Sequence, residues 1–350
     1  MIKSKIHVLV VDDSSMVRTI LSNGISSDPM IEVVGTAPDP YIARDKIVQL
    51  RPDVMTLDVE MPRMDGVEFL RRLMPQYPVP VVMVSSLTLR GRQVTLDALD
   101  AGAVDFVSKP STDLARGLQG MMTELCTKIK IASTANVAYW KHKRGILPSE
   151  RRVAGTAALA ESTDKVIAIG ASTGGTEAIR TVLSGFPATT PGVVIVQHMP
   201  ADFTRLFAER MNGCCAMQVK EAETGDRIMN GLVLIAPGEK QMTVNRSGGI
   251  YKVTCQPGAK VCGHCPSVEV MMNSVASQAG ANAVGVMLTG MGHDGADAMK
   301  AMRDAGARNI AQDEKTSIVF GMPKEAYARG GAERLVPLDN IAREVINLLS

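Results

Sequence analysis

Short apolar runs rich in Val and Ile alternate with segments of helical periodicity through the first third of the chain. Such runs predict buried strands, whereas apolar positions at helical spacing, as at 16–25 and 42–50, predict amphipathic helices. Strands that alternate with helices are typical of parallel sheets. The first third is therefore predicted to be an α/β domain, with strands at 6–11, 33–35, 54–57, 79–84 and 104–107.

The second half repeats this alternation from residue 165 onward. The runs 242–245 and 251–255 flank a Ser-Gly-Gly sequence, which is a hairpin signal, and the segment 266–279 has helical periodicity. We therefore predict an α/β fold with a Rossmann-like, doubly wound and mostly parallel sheet that carries a hairpin insert. Its strands are predicted at 166–169, 193–196, 233–235, 283–288 and 309–311.

The rhythm of strands and helices stops between the two halves. Basic residues crowd this stretch together with Ala, Ser and Thr, and Pro148 and Gly155 interrupt it. The composition favours a solvated linker, partly helical at its start. The basic run at 141–144 would suit nucleic acid, but only Tyr139 and Trp140 supply aromatic rings nearby. We therefore predict two domains, at 1–128 and 165–350, joined by a linker at 129–164.

Composition narrows the class of protein. A chain of 350 residues is long enough for two domains with separate cores, and its net charge of +2 exerts no strong pull toward nucleic acid or anionic membranes. No apolar run reaches the roughly 18 residues that span a bilayer, and Asp12 and Asp13 interrupt the first one. We expect a cytoplasmic protein without direct membrane insertion.

The six cysteines are too few for a disulfide scaffold, and we expect them to be reduced in the cytosol. Cys262 and Cys265 form a C-x-x-C sequence, which in some proteins is a redox motif. Prolines and a glycine surround it, which predicts a loop rather than the start of a helix. A zinc site would need a second ligand pair, and the adjacent Cys214 and Cys215 lack the usual spacing.

Carboxylates follow two predicted strands of the first domain. Asp12 and Asp13 come directly after the first strand, and Asp58 ends the third. The carboxyl ends of parallel strands share one edge of a sheet, where α/β proteins build their sites. Three hard oxygen ligands at that edge suggest Mg²⁺.

Two more polar side chains end strands at the same edge. Ser85 follows the fourth strand and Lys109 follows the fifth. A carboxylate beside Mg²⁺ and an ammonium group suits phosphoryl transfer, because both cations offset the charge of the phosphoryl oxygens. The alternative is a solvated edge with an ordinary salt bridge between Lys109 and an aspartate.

These segments resemble the receiver domain of response regulators, whose fold is flavodoxin-like. The resemblance implies that Asp58 is the phosphoacceptor and that Asp12, Asp13, Asp58 and the backbone carbonyl of Glu60 hold Mg²⁺. It also implies that Lys109 contacts the phosphoryl group, that Ser85 and Phe106 form the switch pair, and that a histidine kinase is the phosphodonor. The matching segments are 10–14, 57–62, 64–66, Ser85 and 105–110.

A glycine-rich turn follows the first strand of the second domain. The segment 170–174 matches G-x-S-x-G, a pattern in which small residues let a serine, here Ser172, sit on a sharp turn with its hydroxyl exposed. Two alternatives remain open on this stretch alone. Such a turn also suits a phosphate group, and a serine at a helix start is often only an N-cap.

His198 and Asp294 also follow predicted strands closely, so both can meet Ser172 at one edge. This set supplies a nucleophile, a base and a carboxylate that orients the base. His293 adjoins Asp294 but should point away from it, and His264 lies in a predicted loop. The chain order Ser, His, Asp differs from that of α/β-hydrolases.

The same segments resemble the chemotaxis protein-glutamate methylesterase family. The resemblance implies Ser172, His198 and Asp294 as a triad, with the backbone N–H groups of Thr173 and Met291 as the oxyanion hole. Two residues depart from that family's pattern, because His293 stands where Asn is common and Cys265 where a basic residue is common. The matching segments are 169–176, 197–200, 264–268 and 288–295.

We therefore predict a phosphorylation-activated serine esterase that removes methyl groups from glutamates of chemoreceptors and releases methanol. The resemblance also implies that the enzyme deamidates receptor glutamines and that the unphosphorylated receiver domain restrains the active site. Mg²⁺ is expected for receiver phosphorylation, and no cofactor for the esterase step. Two rivals are a nucleotide-binding regulator, disfavoured because Gln197 stands where an acidic ribose ligand is expected, and a DNA-binding regulator, for which no helix-turn-helix is visible.

Overall fold

The computed structural model describes residues 5–86, 88–109, 114–141 and 164–349. The chain divides into two compact units, Met1–Leu147 and Pro148–Ser350. Each unit is described by itself below. No helix in the described part of the chain is long and apolar enough to cross a membrane.

The first unit is a five-stranded parallel sheet with the strand order β2-β1-β3-β4-β5. All five predicted strands are present, with ends that differ by a few residues. The strands are β1 (Ile6–Val11), β2 (Ile31–Ala37), β3 (Val54–Asp58), β4 (Val81–Ser85) and β5 (Asp105–Ser108). The helices are α1 (Ser15–Ser26), α2 (Pro40–Leu50), α3 (Gly66–Leu73), α4 (Leu89–Asp100) and α5 (Leu114–Ala132).

Local capping fixes where these helices begin. The hydroxyl of Ser14 accepts a hydrogen bond from the N–H of Val17 at the start of α1, and Asp39 accepts from Tyr41 and Ile42 at the start of α2. Because β2 and β3 pair with opposite sides of β1, the order of strands reverses beside β1. This reversal opens a crevice at the carboxyl ends of β1 and β3, where sheets of this kind place their sites.

The described part of the first unit extends beyond residue 128. Helix α5 continues to Ala132, and the residues after it fold back so that Val137 and Trp140 are buried. The indole of Trp140 lies against Gly102 in the turn between α4 and β5. Most of the predicted linker, residues 142–163 with their basic cluster, lies outside the described residues, so the domain bounds at 128 and 165 stay predictions.

The second unit contains a seven-stranded sheet with the order β14-β13-β12-β6-β7-β9-β8, in which every pair is parallel. The strands are β6 (Val166–Ala171), β7 (Gly192–Gln197), β8 (Gln218–Glu221), β9 (Leu232–Ile235), β12 (Ala283–Met287), β13 (Arg308–Gln312) and β14 (Arg334–Val336), with β10 (Lys240–Ser247) and β11 (Ile250–Pro257) outside this sheet. The helices are α6 (Gly175–Ser184), α7 (Ala201–Cys214), α8 (Val268–Gln278), α9 (Ala296–Asp304), α10 (Met322–Ala328) and α11 (Leu338–Leu349).

The two edge strands of this sheet are absent from the strands predicted from the sequence. Strands β8 and β14 have four and three residues, and both begin with an exposed polar residue, Gln218 and Arg334. An edge strand pairs on one side only and needs no long apolar run, so its sequence resembles that of a loop. The predicted hairpin is present as the antiparallel pair β10 and β11, and helix α8 packs against it.

The order of strands in the second unit reverses beside β6. Strands β7 and β9 extend from one side of β6, and β12 and β13 from the other. The carboxyl ends of β6, β7 and β12 therefore meet around a crevice. The loops that follow these three strands carry the three residues predicted to act together in the second domain.

We expect Gly170→Ala to destabilise the second unit by about 1–3 kcal/mol, because overpacking a core displaces side chains and backbone. A Cβ at Gly170 would lie 2.4 Å from the Cγ1 atom of Val268, which is fully buried at the start of α8. Urea unfolding of the full chain, followed by far-UV circular dichroism, measures this change.

The matched control is Gly213→Ala in α7, where a Cβ meets nothing within 4 Å. It should leave stability unchanged or raise it by about 0.5–1 kcal/mol. The fluorescence of Trp140, the sole tryptophan of the chain, reports the first unit and should not shift in either variant. Equal stability of Gly170→Ala and the control would contradict the close packing of β6 against α8.

Candidate functional sites

Ser172 lies on the sharp turn between β6 and α6. The turn is closed by a hydrogen bond from the N–H of Gly175 to the Ser172 carbonyl at 2.7 Å. Helix α6 has Gly174 as its N-cap, at φ +77, and no side chain caps it. The hydroxyl of Ser172 therefore has no capping role, which removes one of the two alternatives for this residue.

Gly174 is required for two reasons. Its positive φ is strained for any residue with a Cβ, and a Cβ there would lie 2.6 Å from the Cβ of Ile318. The glycines of the G-x-S-x-G pattern therefore serve to shape the turn and to admit the close approach of a neighbouring loop.

Two buried polar side chains fix the turn to the neighbouring strand ends. The hydroxyl of Thr289, after β12, donates to the Thr173 carbonyl at 3.0 Å, and the N–H of Ser172 donates to the Thr289 carbonyl at 3.0 Å. From the end of β7, the amide of Gln197 donates to the carbonyls of Ser172 and His198 at 3.0 and 3.2 Å. These bonds join the ends of β6, β7 and β12 into one unit.

His198 and Asp294 meet at this edge. The Nε2 atom of His198 lies 2.7 Å from Oδ2 of Asp294, and both side chains are buried, with 7% and 2% of their surface exposed. Residues 96 positions apart are thus paired by the fold. The geometry supports the prediction that this carboxylate orients this imidazole.

The Asp294 carboxylate is anchored at the N-terminus of α8. It accepts hydrogen bonds from the N–H groups of Val268 and Glu269 at 2.8 and 3.1 Å, and from the hydroxyl of Ser267 at 2.7 Å. Burial alone would raise the pKa of Asp294, but the hydrogen bonds from His198, Ser267 and Val268 outweigh it and hold the pKa below its usual value. The N-terminal end of the helix adds a favourable potential, so Asp294 is ionised at neutral pH.

The second ring nitrogen of His198 is left available. Its Nδ1 atom is buried and has no hydrogen-bond partner among the described residues, so the resting structure contains no bond from Ser172 to this atom. Because Nε2 faces an ionised carboxylate, Nε2 carries the proton and Nδ1 carries the lone pair. The imidazole is therefore in the tautomer that accepts a proton at Nδ1.

The two predicted oxyanion donors belong to loops that the Thr289 bonds tie together. Thr173 follows Ser172 directly, and Met291 lies two residues after Thr289 with an exposed side chain. Within the described ranges, the N–H of Met291 has no hydrogen-bond acceptor. Their role as an oxyanion hole stays a prediction.

His264, for which the sequence predicted only a loop position, contacts the candidate base. The rings of His198 and His264 are stacked, with centroids 3.6 Å apart and planes within 8° of each other. The signal in the sequence is weak, since a loop histidine gives no hint of which strand end it approaches. The residue is nevertheless part of the same site.

The C-x-x-C segment is a tight turn between Val261 and His264, as the surrounding prolines and glycine predicted. Cys262 and Cys265 are both free thiols. His293 is exposed next to Asp294, and among the described residues no hydrogen bond joins the two side chains.

The first unit brings its predicted carboxylates together at the ends of β1 and β3. Oxygen atoms of Asp12, Asp13 and Asp58 all lie within 4.8 Å of one another. The ammonium group of Lys109 lies 3.0 Å from Oδ2 of Asp12 and 2.9 Å from Oδ1 of Asp58. Hard carboxylate oxygens at this spacing fit a divalent cation such as Mg²⁺.

Burial and, to a smaller extent, the charge of Asp12 raise the pKa of Asp58 to about 6, against the opposing effect of Lys109. For Lys109, burial works to lower the pKa, but the charges of Asp58 and Asp12 dominate and the pKa lies above its usual value. The three carboxylates at the ends of β1 and β3 therefore carry more negative charge than the ammonium group of Lys109 offsets.

The predicted switch residues are both buried. The Ser85 hydroxyl lies 2.6 Å from that of Thr95 in α4, and the Phe106 ring is 5% exposed. The ammonium of Lys128 lies 5.0 Å from the centroid of the Phe106 ring and 3.0 Å from Asp105. Glu60 is exposed two residues after Asp58. The switch roles of Ser85 and Phe106, and the ligand role of Glu60, stay predictions.

We expect the Asp58 carboxyl to titrate with a pKa of about 6 in magnesium-free buffer, and Lys109→Met to raise it further, because Lys109 stabilises the charged form. Carbon-13 NMR of the carboxyl groups measures this. The control Lys130→Met removes a surface partner of Asp28 and should leave Asp58 unchanged. An Asp58 pKa that does not respond to Lys109→Met would contradict this account of the charges.

Known proteins resemble the chain over both units. The model of the CheB methylesterase family matches residues 167–345, and that of the response regulator receiver domain matches residues 8–118. The crystal structure of the Thermotoga maritima CheB methylesterase catalytic domain has a TM-score of 0.52 and 32% identity, and it covers 53% of this chain and 100% of that one.

Two relatives that match this chain over almost its whole length have the same protein name. A protein-glutamate methylesterase/protein-glutamine glutaminase of Syntrophotalea carbinolica is 70% identical over 346 residues, which cover 99% of this chain and 98% of that protein. A protein of the same description from Sulfurimonas denitrificans is 53% identical over 349 residues and 99% of each chain. The chain therefore belongs to the protein-glutamate methylesterase/protein-glutamine glutaminase family, with a response regulator receiver domain ahead of its CheB methylesterase domain.

Proposed function

We propose that the second unit is a serine esterase that hydrolyses the γ-methyl esters of glutamates on chemoreceptors and releases methanol. The observation that carries this proposal is the buried pair of His198 and Asp294 at the strand end next to Ser172, with Nδ1 of the imidazole left without a partner. A base held in one tautomer beside a serine on a sharp turn is the arrangement that acyl transfer requires.

In the first step, the Ser172 hydroxyl rotates toward Nδ1 of His198 and attacks the ester carbonyl carbon. His198 takes the hydroxyl proton, and the carbonyl oxygen becomes an oxyanion. Catalytic hydrogen bonds are often long or absent before substrate binds, so the missing bond in the resting structure is consistent with this step. The N–H groups of Thr173 and Met291 are the proposed donors to the oxyanion.

The tetrahedral intermediate then collapses. The bond between the carbonyl carbon and the methoxy oxygen breaks, and His198 returns its proton to that oxygen, so methanol leaves. Water attacks the acyl-enzyme with His198 again as base, which frees Ser172 and leaves a glutamate. Asp294 stays ionised and stabilises the imidazolium form of His198 in both steps.

The same acyl chemistry accounts for deamidation. A glutamine side chain presents an amide carbonyl in the place of the ester, and protonation by His198 releases ammonia instead of methanol. Both substrates pass through the same glutamyl acyl-enzyme. One site therefore accounts for both the methylesterase and the glutaminase activity in the name of the relatives. No metal is needed for these steps in this proposal.

In the first unit, Asp58 is the proposed phosphoacceptor, and a histidine kinase of the chemotaxis pathway is the proposed donor. Asp12, Asp13, Asp58 and the Glu60 carbonyl would hold Mg²⁺, which when bound offsets the negative charge of the phosphoryl group. Lys109 is within reach of both buried carboxylates and is the proposed contact of the phosphoryl oxygens.

Activation would follow from a change at the receiver. Ser85, at the end of β4, and Phe106, within the neighbouring strand β5, are the proposed residues that respond to a phosphoryl group on Asp58. The proposal assigns the unphosphorylated receiver a restraining effect on the esterase, and phosphorylation a releasing one.

We expect Ser172→Ala to lower methanol release from methylated receptor membranes by about 10⁴-fold or more, since the nucleophile is lost. Phosphorylation of Asp58 by a small-molecule phosphodonor, measured on the same preparation, should be unchanged. Substantial release by this variant would exclude Ser172 as the nucleophile. Loss of both activities would mean that the variant is misfolded.

We expect Asp58→Asn to keep the basal rate of methanol release and to lose the increase that a phosphodonor and Mg²⁺ produce. The amide cannot form an acyl phosphate, while the esterase residues belong to the other unit. Asp53→Asn, which removes a carboxylate elsewhere in the same unit, should keep the increase and is the matched control. An increase that persists in Asp58→Asn would refute the proposed gating site.

A further inference from the structure

The imidazole of His198 is held by a single hydrogen bond. Its Nε2 atom is bonded to Asp294, and its Nδ1 atom has no partner among the described residues. This bond restrains the plane of the ring only weakly, because the ring turns about its Cβ–Cγ bond and Nε2 lies close to that axis. The proposed proton transfer needs the plane fixed, since Nδ1 must face the Ser172 hydroxyl.

The only aromatic ring stacked on His198 in the described chain is that of His264. A centroid distance of 3.6 Å and an interplanar angle of 8° place the two rings in full van der Waals contact. A turn of the His198 ring out of its plane would drive its edge into His264. The stack therefore supplies the constraint that the hydrogen bond lacks.

His264 is itself held firmly. It closes a tight turn in which Val261 and His264 exchange backbone hydrogen bonds at 3.0 and 2.9 Å. The two central residues, Cys262 and Gly263, have φ of +51 and +85, as in the primed turns that join strands tightly. The ring of His264 is thus presented by a short closed turn rather than by an open loop.

A second contact couples this turn to the anchor of Asp294. The amide of Gln241, on β10, donates to the Ala259 carbonyl at 2.9 Å and to the His264 carbonyl at 3.4 Å. Its carbonyl oxygen accepts the N–H of Ser267 at 2.9 Å. One side chain thus ties the residues that flank His264 to the start of α8, where Asp294 is bound.

The charge of His264 suits this role. Burial, together with the charges of His198 and Lys260, lowers the pKa of His264 to about 4, against the opposing effect of Asp294. His264 is therefore neutral at neutral pH and can lie against His198 when that ring becomes an imidazolium ion. A charged ring at this distance would repel the imidazolium.

We infer that His264 is a positioning residue of the esterase, whose stacked ring holds the imidazole plane of His198 so that Nδ1 faces Ser172. This inference rests on the proposed function of Ser172 and His198. It assigns no proton transfer to His264, so a flat ring without nitrogen atoms should serve in its place.

The test compares His264→Ala with His264→Phe in the full chain, with methylated receptor membranes as substrate. The alanine variant should lower kcat by about 10- to 100-fold, the range expected when a reacting group is misplaced, while KM changes by less than about two-fold. The phenylalanine variant, which restores a stacked ring, should recover most of kcat. Cys262→Ala alters the same turn but keeps the ring, and should match the parent protein.

Nitrogen-15 NMR of the His198 ring in the same variants gives a readout that does not depend on hydrolysis. The parent and the phenylalanine variant should show one sharp set of ring signals, and the alanine variant should show ring signals that are shifted and broadened because the ring plane is no longer fixed. If the parent fails to release methanol but the spectra change in this way, the proposed function fails and the positioning role stands.

Three results would overturn the inference. The alanine variant could retain both the kcat and the His198 spectrum of the parent, so that the stack has no effect. The phenylalanine variant could be as slow as the alanine variant, which would give the ring nitrogens of His264 a chemical role. A rise in KM without a fall in kcat would make His264 a substrate contact instead.

Discussion

The carboxylate of Asp294, buried at the N-terminus of α8, is the contact on which the rest of the catalytic edge depends. An ionised group with 2% of its side chain exposed is costly unless donors surround it. Ser267, Val268 and Glu269 supply those donors from one helix end, and His198 supplies the last one. Because the first three fix the carboxylate, the carboxylate can fix the imidazole.

The buried carboxylates of the two units have pKa values shifted in opposite directions. Asp294 has several hydrogen-bond donors, so its pKa stays below the usual value and it is ionised at neutral pH. For Asp58, burial together with the charge of Asp12 outweighs the effect of Lys109 and raises the pKa to about 6. A carboxylate that is short of positive charge suits a site that is to receive a cation, whereas a satisfied one suits a site that orients a base.

Hydrogen bonds between loops, rather than the strands themselves, set the finer geometry of the catalytic edge. Thr289 and Gln197 are both buried, and each connects the turn of Ser172 to a neighbouring strand end. Gln241 does the same for the turn of His264 and the start of α8. Each of these side chains donates a hydrogen bond to a backbone carbonyl of a neighbouring loop. These bonds connect the loops of the catalytic edge to one another in the absence of substrate.

Much of this protein is determined by local sequence. Strand-length apolar runs, glycine-rich turns and polar residues at strand ends are short-range signals, and parallel strands carry such residues to a common edge whatever the exact register. That is why the α/β fold and the grouping of Ser172, His198 and Asp294 could be predicted. The edge strands β8 and β14 could not, because their pairing partner rather than their own composition makes them strands.

Other features exist only in the tertiary structure. No local pattern indicates that the turn of His264 stacks on a ring 66 positions earlier in the chain, or that Asp294 binds the end of α8. Nor does the sequence state which nitrogen of His198 faces the carboxylate. These are contacts between segments distant in sequence, and they are decided by how the hairpin, α8 and the loop after β12 pack together. The sequence by itself determined which chemical groups reach the edge, and the packing decided how each is oriented there.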